Sequence, residues 1–107
     1  MPILGWRRKA KENAAAAGLH TICRRAPHVM AAREGERTVL LDPRGGEYLG
    51  LDEVASRIWE LLDGATTAAG VVDRLEAEYD APRATLEADC LALLTRLMGL
   101  GVVVTAG

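Results

Sequence analysis

Two histidines, two cysteines, a run of carboxylates and a glycine-rich turn are the groups with which this chain could do chemistry. Metal sites and catalytic sites need such groups to converge, as ligands in short repeated spacings or as a nucleophile with a base beside it. Cys23 and Cys90 lie far apart and match no metal spacing; Cys90 falls within an apolar helical pattern and reads as a small core residue. His20 and His28 have no Cys, Asp or Glu at ligand or triad spacing and read as surface histidines. Gly45, Gly46 and Gly50 invite a phosphate-loop reading. However, no Lys-Ser/Thr follows them, and the next helix opens on Asp52 and Glu53, which repel phosphate. Asp73, Glu76, Glu78 and Asp80 read as a solvated face. No hydrolase, transferase or redox constellation remains, so the expectation is a non-enzyme with no cofactor and no metal.

The elements that would position any site must come from a lean composition. Apolar types make up 50% of 107 residues, but 18 are Ala and none is Phe, leaving 15 Leu, 8 Val and 3 Ile to build the core. A chain of this size is one domain and buries roughly two-thirds of its unfolded surface, which excludes a deep, walled active site and fits a small binding module. Charge is unevenly placed. Residues 1–37 carry eight Lys/Arg against three Glu, whereas residues 38–107 carry five Arg against twelve Asp/Glu. A polyanion could be met only by the N-terminal third. With no disulfide framework, a reducing cytoplasm is expected. No apolar stretch approaches the ~20 residues of a membrane span, and Met1–Lys11 lacks the apolar run of a secretory signal. Residues 1–27 are expected to form a basic, flexible extension, with Lys9–Ala17 a frayed tail because its apolar residues are nearly all Ala.

From His28 the sequence becomes patterned. His28–Arg33, Arg37–Asp42 and Glu47–Leu51 read as three short strands joined by Glu34-Gly35-Glu36 and by the Pro43–Gly46 turn, an antiparallel meander. Three helices follow. Asp52 caps the first, whose apolar positions are Val54, Ala55, Ile58, Leu61 and Leu62, and Asp63-Gly64 stops it. Thr66 or Thr67 caps the second, with Val71, Val72, Leu75 and Tyr79 on one stripe and Gly70 as a weakness. The third begins with Pro82 at its first helical position, buries Leu86, Cys90, Leu93, Leu94 and Leu97, and ends at Gly99 or Gly101. Val102–Val104 is a short apolar strand or tail. The expected fold is α+β, winged helix-turn-helix-like, with a three-stranded antiparallel sheet followed by three helices over residues 28–104.

Such a frame can bind DNA, but a recognition helix needs Arg, Lys, Asn or Gln for base edges. Residues 82–98 offer Arg83 and Arg96 together with Glu87 and Asp89, and no Lys, Asn or Gln. A winged-helix regulator using the basic N-terminal arm is therefore the alternative reading, and no nucleic acid is expected. The third strand has an open edge whose small residues, Gly46 and Gly50, let another backbone approach. An open edge beside an apolar helix suits strand addition, with backbone hydrogen bonds giving affinity and side-chain pockets giving choice.

The block Leu51-Asp52-Glu53-Val54-Ala55…Ile58-Trp59-Glu60-Leu61-Leu62-Asp63-Gly64, preceded by Gly45-Gly46-Glu47-Tyr48-Leu49-Gly50, resembles the pyrroloquinoline quinone biosynthesis protein D (PqqD) family. The later run Glu78-Tyr79-Asp80-Ala81-Pro82…Leu93-Leu94…Leu97…Gly101-Val102 resembles it too, so that the likeness spans residues 28–104. The resemblance implies a precursor-peptide recognition element, which captures the leader region of ribosomally made, modified peptides, including stand-alone forms in lasso-peptide pathways. It implies that the leader adds as an antiparallel strand to the third strand, beside the third helix. Carried over, this places Glu47, Tyr48 and Leu49 at the edge and Asp89, Leu93 and Arg96 on the helix, with Leu91 and Met98 as the candidates of the other flank. The implied partner is a maturation enzyme acting in trans, either a radical-SAM enzyme or a transglutaminase-like leader peptidase. No membrane partner is expected.

Overall fold

The computed structural model describes residues 16–106, which form six strands and three helices. Strand β1 is Ile22–Arg25, β2 Met30–Glu34, β3 Arg37–Asp42 and β4 Glu47–Leu51; helix α1 is Glu53–Leu61, β5 Asp63–Thr67, α2 Ala68–Glu78, α3 Arg83–Gly99 and β6 Val103–Thr105. The strands form two antiparallel three-stranded sheets, in the orders β2-β3-β4 and β5-β1-β6.

The first sheet is the expected meander. Leu40 lies opposite Ala31 on one side and Leu49 on the other, and Leu41 lies between Met30 and Tyr48. Strand alternation sends Thr38, Leu40 and Leu51 into the core, while Met30 and Tyr48 stay exposed across the outer face. The β3–β4 turn is closed by the Gly45 and Gly46 amides, which both donate to the Asp42 carbonyl. The Asp42 carboxylate accepts from the Arg44 amide, a local mimic of a backbone turn. Gly46 takes φ +73°, where a side chain would be strained.

The three helices start and stop where local chemistry directs. Asp52 accepts from the Ala55 amide at 2.9 Å and caps α1, while Ser56 donates to the Leu51 carbonyl and is buried. Thr67 caps α2 by accepting from the Gly70 amide at 3.1 Å. Gly70 has a packing reason, since a Cβ there would meet the Thr66 Cγ2 methyl at 2.7 Å. Pro82 occupies the cap position of α3, one residue earlier than expected, and α3 begins at Arg83. Gly101, at φ +79°, turns the chain out of α3 into β6. The core joins Ile58 and Leu62 of α1, Val71, Val72 and Leu75 of α2, and Leu86, Cys90, Leu94 and Leu97 of α3 to Leu40, Leu51 and Val103 of the sheets.

The second sheet departs from the expected plan of one sheet followed by helices. Residues 22–25, placed by sequence in a flexible extension, form its central strand. Cys23, Arg24 and Arg25 pair with Thr105, Val104 and Val103, and Ile22 lies opposite Thr67. Its other edge, Asp63–Thr67, lies between α1 and α2 where only a helix stop and a cap were read. Backbone hydrogen bonds drive this sheet rather than apolar alternation, and the first half of β5 is held by Asp63 accepting from the Ala65 and Thr66 amides. Residues 1–15, which hold most of the basic extension and of the expected frayed tail, lie outside the described residues.

Candidate functional site

Among the described residues, strand β4 bonds only to β3, so alternate residues along its other side direct N–H and C=O groups away from the sheet. Its side chains divide by face. Leu49 is half-buried against the core, whereas the next residue back, Tyr48, is 72% exposed on the outer face. Helix α3 runs past this edge and divides into three stripes by its 3.6-residue period. Leu86, Cys90, Leu94 and Leu97 are buried. Asp89, Leu93, Arg96 and, just past the helix, Leu100 fall on one flank, and Leu91, Thr95 and Met98 on the other.

The second flank is covered by the chain itself. The Ala17 amide donates to the Thr95 hydroxyl at 3.0 Å, and the Met98 sulfur lies 4.0 Å from the Cys23 sulfur. The first flank is open and lines two cavities. The smaller, of about 320 Å³, lies between β4 and the end of α3 and is lined by Leu40, Asp42, Glu47, Tyr48, Leu49, Arg96, Leu100 and Val102. The larger, of about 620 Å³, lies between α1, the end of α2 and α3; its walls include Asp52, Val54, Ala55, Tyr79, Asp80, Leu86, Asp89, Leu93 and Arg96. Arg96 borders both, so the two cavities, together the trough, lie side by side, one at the β4 edge and the other at the start of α1.

The six residues nominated from sequence divide between the two cavities: Glu47, Tyr48 and Leu49 line the smaller, Asp89 and Leu93 the larger, and Arg96 both. Leu91 and Met98 line neither. Sequence reasoning missed Asp52, Val54, Ala55, Tyr79 and Asp80. Asp80 was passed over as part of a solvated acidic run, although its neighbours in that run have other engagements. Arg83 donates to Asp73 at 2.6 Å, Glu76 at 3.1 Å and Glu87 at 3.0 Å. Arg57 binds Glu78 through two bonds of 2.8 Å and also reaches Glu60, which pairs in addition with Arg33.

The electrostatics of the trough follow from its lining. Five carboxylates (Asp42, Glu47, Asp52, Asp80 and Asp89) face one guanidinium, Arg96. The Arg44 amide, helped by the charges of His28 and Arg44, holds the Asp42 carboxyl below the ordinary carboxylate range. His28, read from sequence as a surface histidine, is half-buried with its Nε2 3.6 Å from Asp42. Burial pushes the Cys90 thiol up to about 11 and raises Cys23 as well, which leaves both as packing residues rather than nucleophiles. Among the described residues, no group of three or more His, Cys, Asp or Glu side chains could hold a metal ion. None of the described helices is long and apolar enough to cross a membrane. The trough can hydrogen-bond an extended backbone, bury apolar side chains and attract positive charge, and it repels a polyanion.

Comparison with known proteins adds three findings. The family model for coenzyme PQQ synthesis protein D (PqqD) matches residues 37–103. A PqqA binding protein of Rhodopseudomonas palustris is 38% identical over 71 residues, which is 66% of this chain and 68% of that protein; its counterpart in a second strain is 37% identical over the same span. Two solved structures share the fold. TbiB1 in complex with the TbiA(beta) leader peptide has a TM-score of 0.69 at 35% identity, covering 75% of this chain and 93% of that one. Lasso peptide synthetase B1 complexed with its leader peptide has a TM-score of 0.70 at 34% identity, covering 78% and 98%.

Proposed function

Because the chain belongs to the PqqD family, we propose that it binds the leader region of a ribosomally made precursor peptide, as an added strand on β4 with side chains seated along the open flank of α3. The observation that carries this reading is the trough itself: an unpaired strand edge and an unoccupied helix flank joined at Arg96, in a fold shared with leader-peptide complexes. Edge hydrogen bonds are indifferent to sequence and supply affinity, whereas the two cavities read alternate side chains and supply selection. Glu47, Tyr48 and Leu49 form the edge, and Asp89, Leu93 and Arg96 the helix wall.

In this reading the protein is non-catalytic and acts in the cytoplasm. It presents the leader to a separate maturation enzyme, a radical-SAM enzyme or a leader peptidase, and so raises the precursor's local concentration without touching the residues to be modified. The meander with α2 and α3 then serves as a winged helix-turn-helix frame turned to peptide rather than DNA. Residues 28–104 form the recognition domain, which β1 joins as the central strand of the second sheet.

The test is a fluorescence-anisotropy titration of the full chain with the leader peptide encoded beside its gene, and with duplex DNA, at low and high salt. Saturable leader binding that survives high salt is expected. Binding to DNA alone, fading steeply with salt, would transfer the function to the regulator reading.

A further inference from the structure

Among the described residues, the carboxylates beside Arg83 and Arg57 are neutralised by the chain, whereas those lining the larger cavity, like Glu34, Glu36, Glu47, Glu53 and Asp63 elsewhere, have no Lys or Arg partner. On the outer surfaces of α1, α2 and α3, Arg83 takes Asp73, Glu76 and Glu87, and Arg57 takes Glu60 and Glu78. Around the larger cavity the pattern reverses. Asp52, Asp80 and Asp89 line it, and among the described residues none of the three has a Lys or Arg partner within ion-pair distance. Arg96 is the sole cation on that lining, and it makes no ion pair with them. Asp52 spends one oxygen on the Ala55 amide and keeps the rest of its carboxylate free.

We infer that the segment of bound peptide lying between α1 and α3 carries a basic side chain, Lys or Arg, directed at Asp52, Asp80 and Asp89, and that this charge selects the peptide alongside apolar fit. The inference rests on the leader-binding reading above and narrows it. A neutral or acidic segment laid over these three groups would strip water from them without replacing it, and uncompensated desolvation of a charge is costly. A cation turns that cost into attraction. The walls favour a long basic side chain in particular. Val54, Ala55 and Leu93 offer apolar surface below the acidic rim, so that a Lys or Arg stem can lie on them while its head reaches the carboxylates. Arg96 belongs to the linings of both cavities, so a peptide paired to β4 beside the smaller one lies next to this rim.

The test uses the full chain and fluorescein-labelled versions of the leader encoded beside its gene: the natural peptide, and peptides with each Lys or Arg replaced singly by Gln. One replacement is expected to weaken binding about tenfold, as for a partly desolvated ion pair, with the difference shrinking at high salt. The D80N/D89N double variant should bind the natural peptide about tenfold more weakly, yet lose nothing further on that Gln peptide, because the two changes remove one interaction. Asp73→Asn, on the neutralised surface, should bind as the parent does, and circular dichroism confirms that each variant is folded. If the leader binds but no basic position matters, or lacks Lys and Arg altogether, or if D80N/D89N loses nothing, the inference is overturned and leader binding stands. If no leader peptide binds, both are overturned.

Discussion

The two flanks of α3, one uncharged and one carrying Asp89 and Arg96, have opposite fates. Thr95 and Met98 are covered by the segment around Ala17 and Cys23, whereas Asp89, Leu93 and Arg96 line the trough. The stripe between them, Leu86, Cys90, Leu94 and Leu97, is fully committed to the core. The difference lies in what the rest of the chain brings alongside. β1, anchored by β5 and β6, reaches one flank, and nothing among the described residues reaches the other. A helix whose inner stripe suffices to hold the fold can leave one flank for a ligand.

The account separates the flanks by what breaks when each is altered. The largest effect is expected at the edge that completes the open side. Of Tyr48→Pro and Leu49→Pro, one removes an N–H that β3 needs and destabilises the sheet. The other removes an outward N–H and should abolish capture in a folded protein, as read by circular dichroism with anisotropy. If both variants fold and both capture the leader, strand addition on β4 is wrong. Next come the flanks themselves. Leu93→Ala should weaken capture by about tenfold or more, as for a contact central to an interface. Met98→Ala should lower thermal stability by about 1–2 kcal/mol while leaving capture per folded molecule unchanged. The reverse pattern would exchange the two flanks. A smaller contrast pits Asp89→Arg, expected to reduce affinity for a basic leader about tenfold, against Asp73→Arg, expected to change it less than about twofold.

The smallest effect concerns acid. The carboxyls of Asp63 and Asp42 are held below their ordinary range, Asp63 chiefly by the Ala65 and Thr66 amides and Asp42 chiefly by the Arg44 amide. A carboxyl depressed on folding contributes stability that is present above its unfolded pKa of about 4 and is lost as pH falls through the lower folded value. Asp63→Asn and Asp42→Asn should therefore each lower the neutral plateau of stability slightly, converge with the parent in acid and so flatten the acid limb below about pH 4, in thermal melts across that range. An unaltered acid limb in both variants would show that these turns carry no such linkage.

Legibility from sequence followed the same division. The meander and the helices were readable because Pro43, Gly46, Asp52 and Thr67 are strong local signals and because Ile58, Leu62, Leu94 and Leu97 recur at helical spacing. β1 and β5 were not. Arg24-Arg25 and Asp63-Gly64-Ala65 lack the alternation of a half-buried strand, and their pairing is set by chain segments far away in sequence. The site was half-readable for a related reason. The residues on β4 and α3 belong to elements that sequence could place, whereas Asp52, Tyr79 and Asp80 join the trough only through the packing of α1 and α2 against α3. Asp80 illustrates the point, because it sits in a run of carboxylates whose other members are neutralised by Arg83 and Arg57. Only the tertiary placement of those two arginines separates it from its neighbours.

Amide hydrogen exchange on the full chain, with and without the leader peptide encoded beside its gene, tests the central claim most directly. Among the described residues the meander has two free edges, β2 and β4, and of these β4 alone borders the trough. The account predicts that saturating peptide slows exchange at the alternate, outward-facing amides of Glu47–Leu51 and leaves those of Met30–Glu34 unchanged. Slowing along β2, or saturable binding with no slowing on β4, would contradict it.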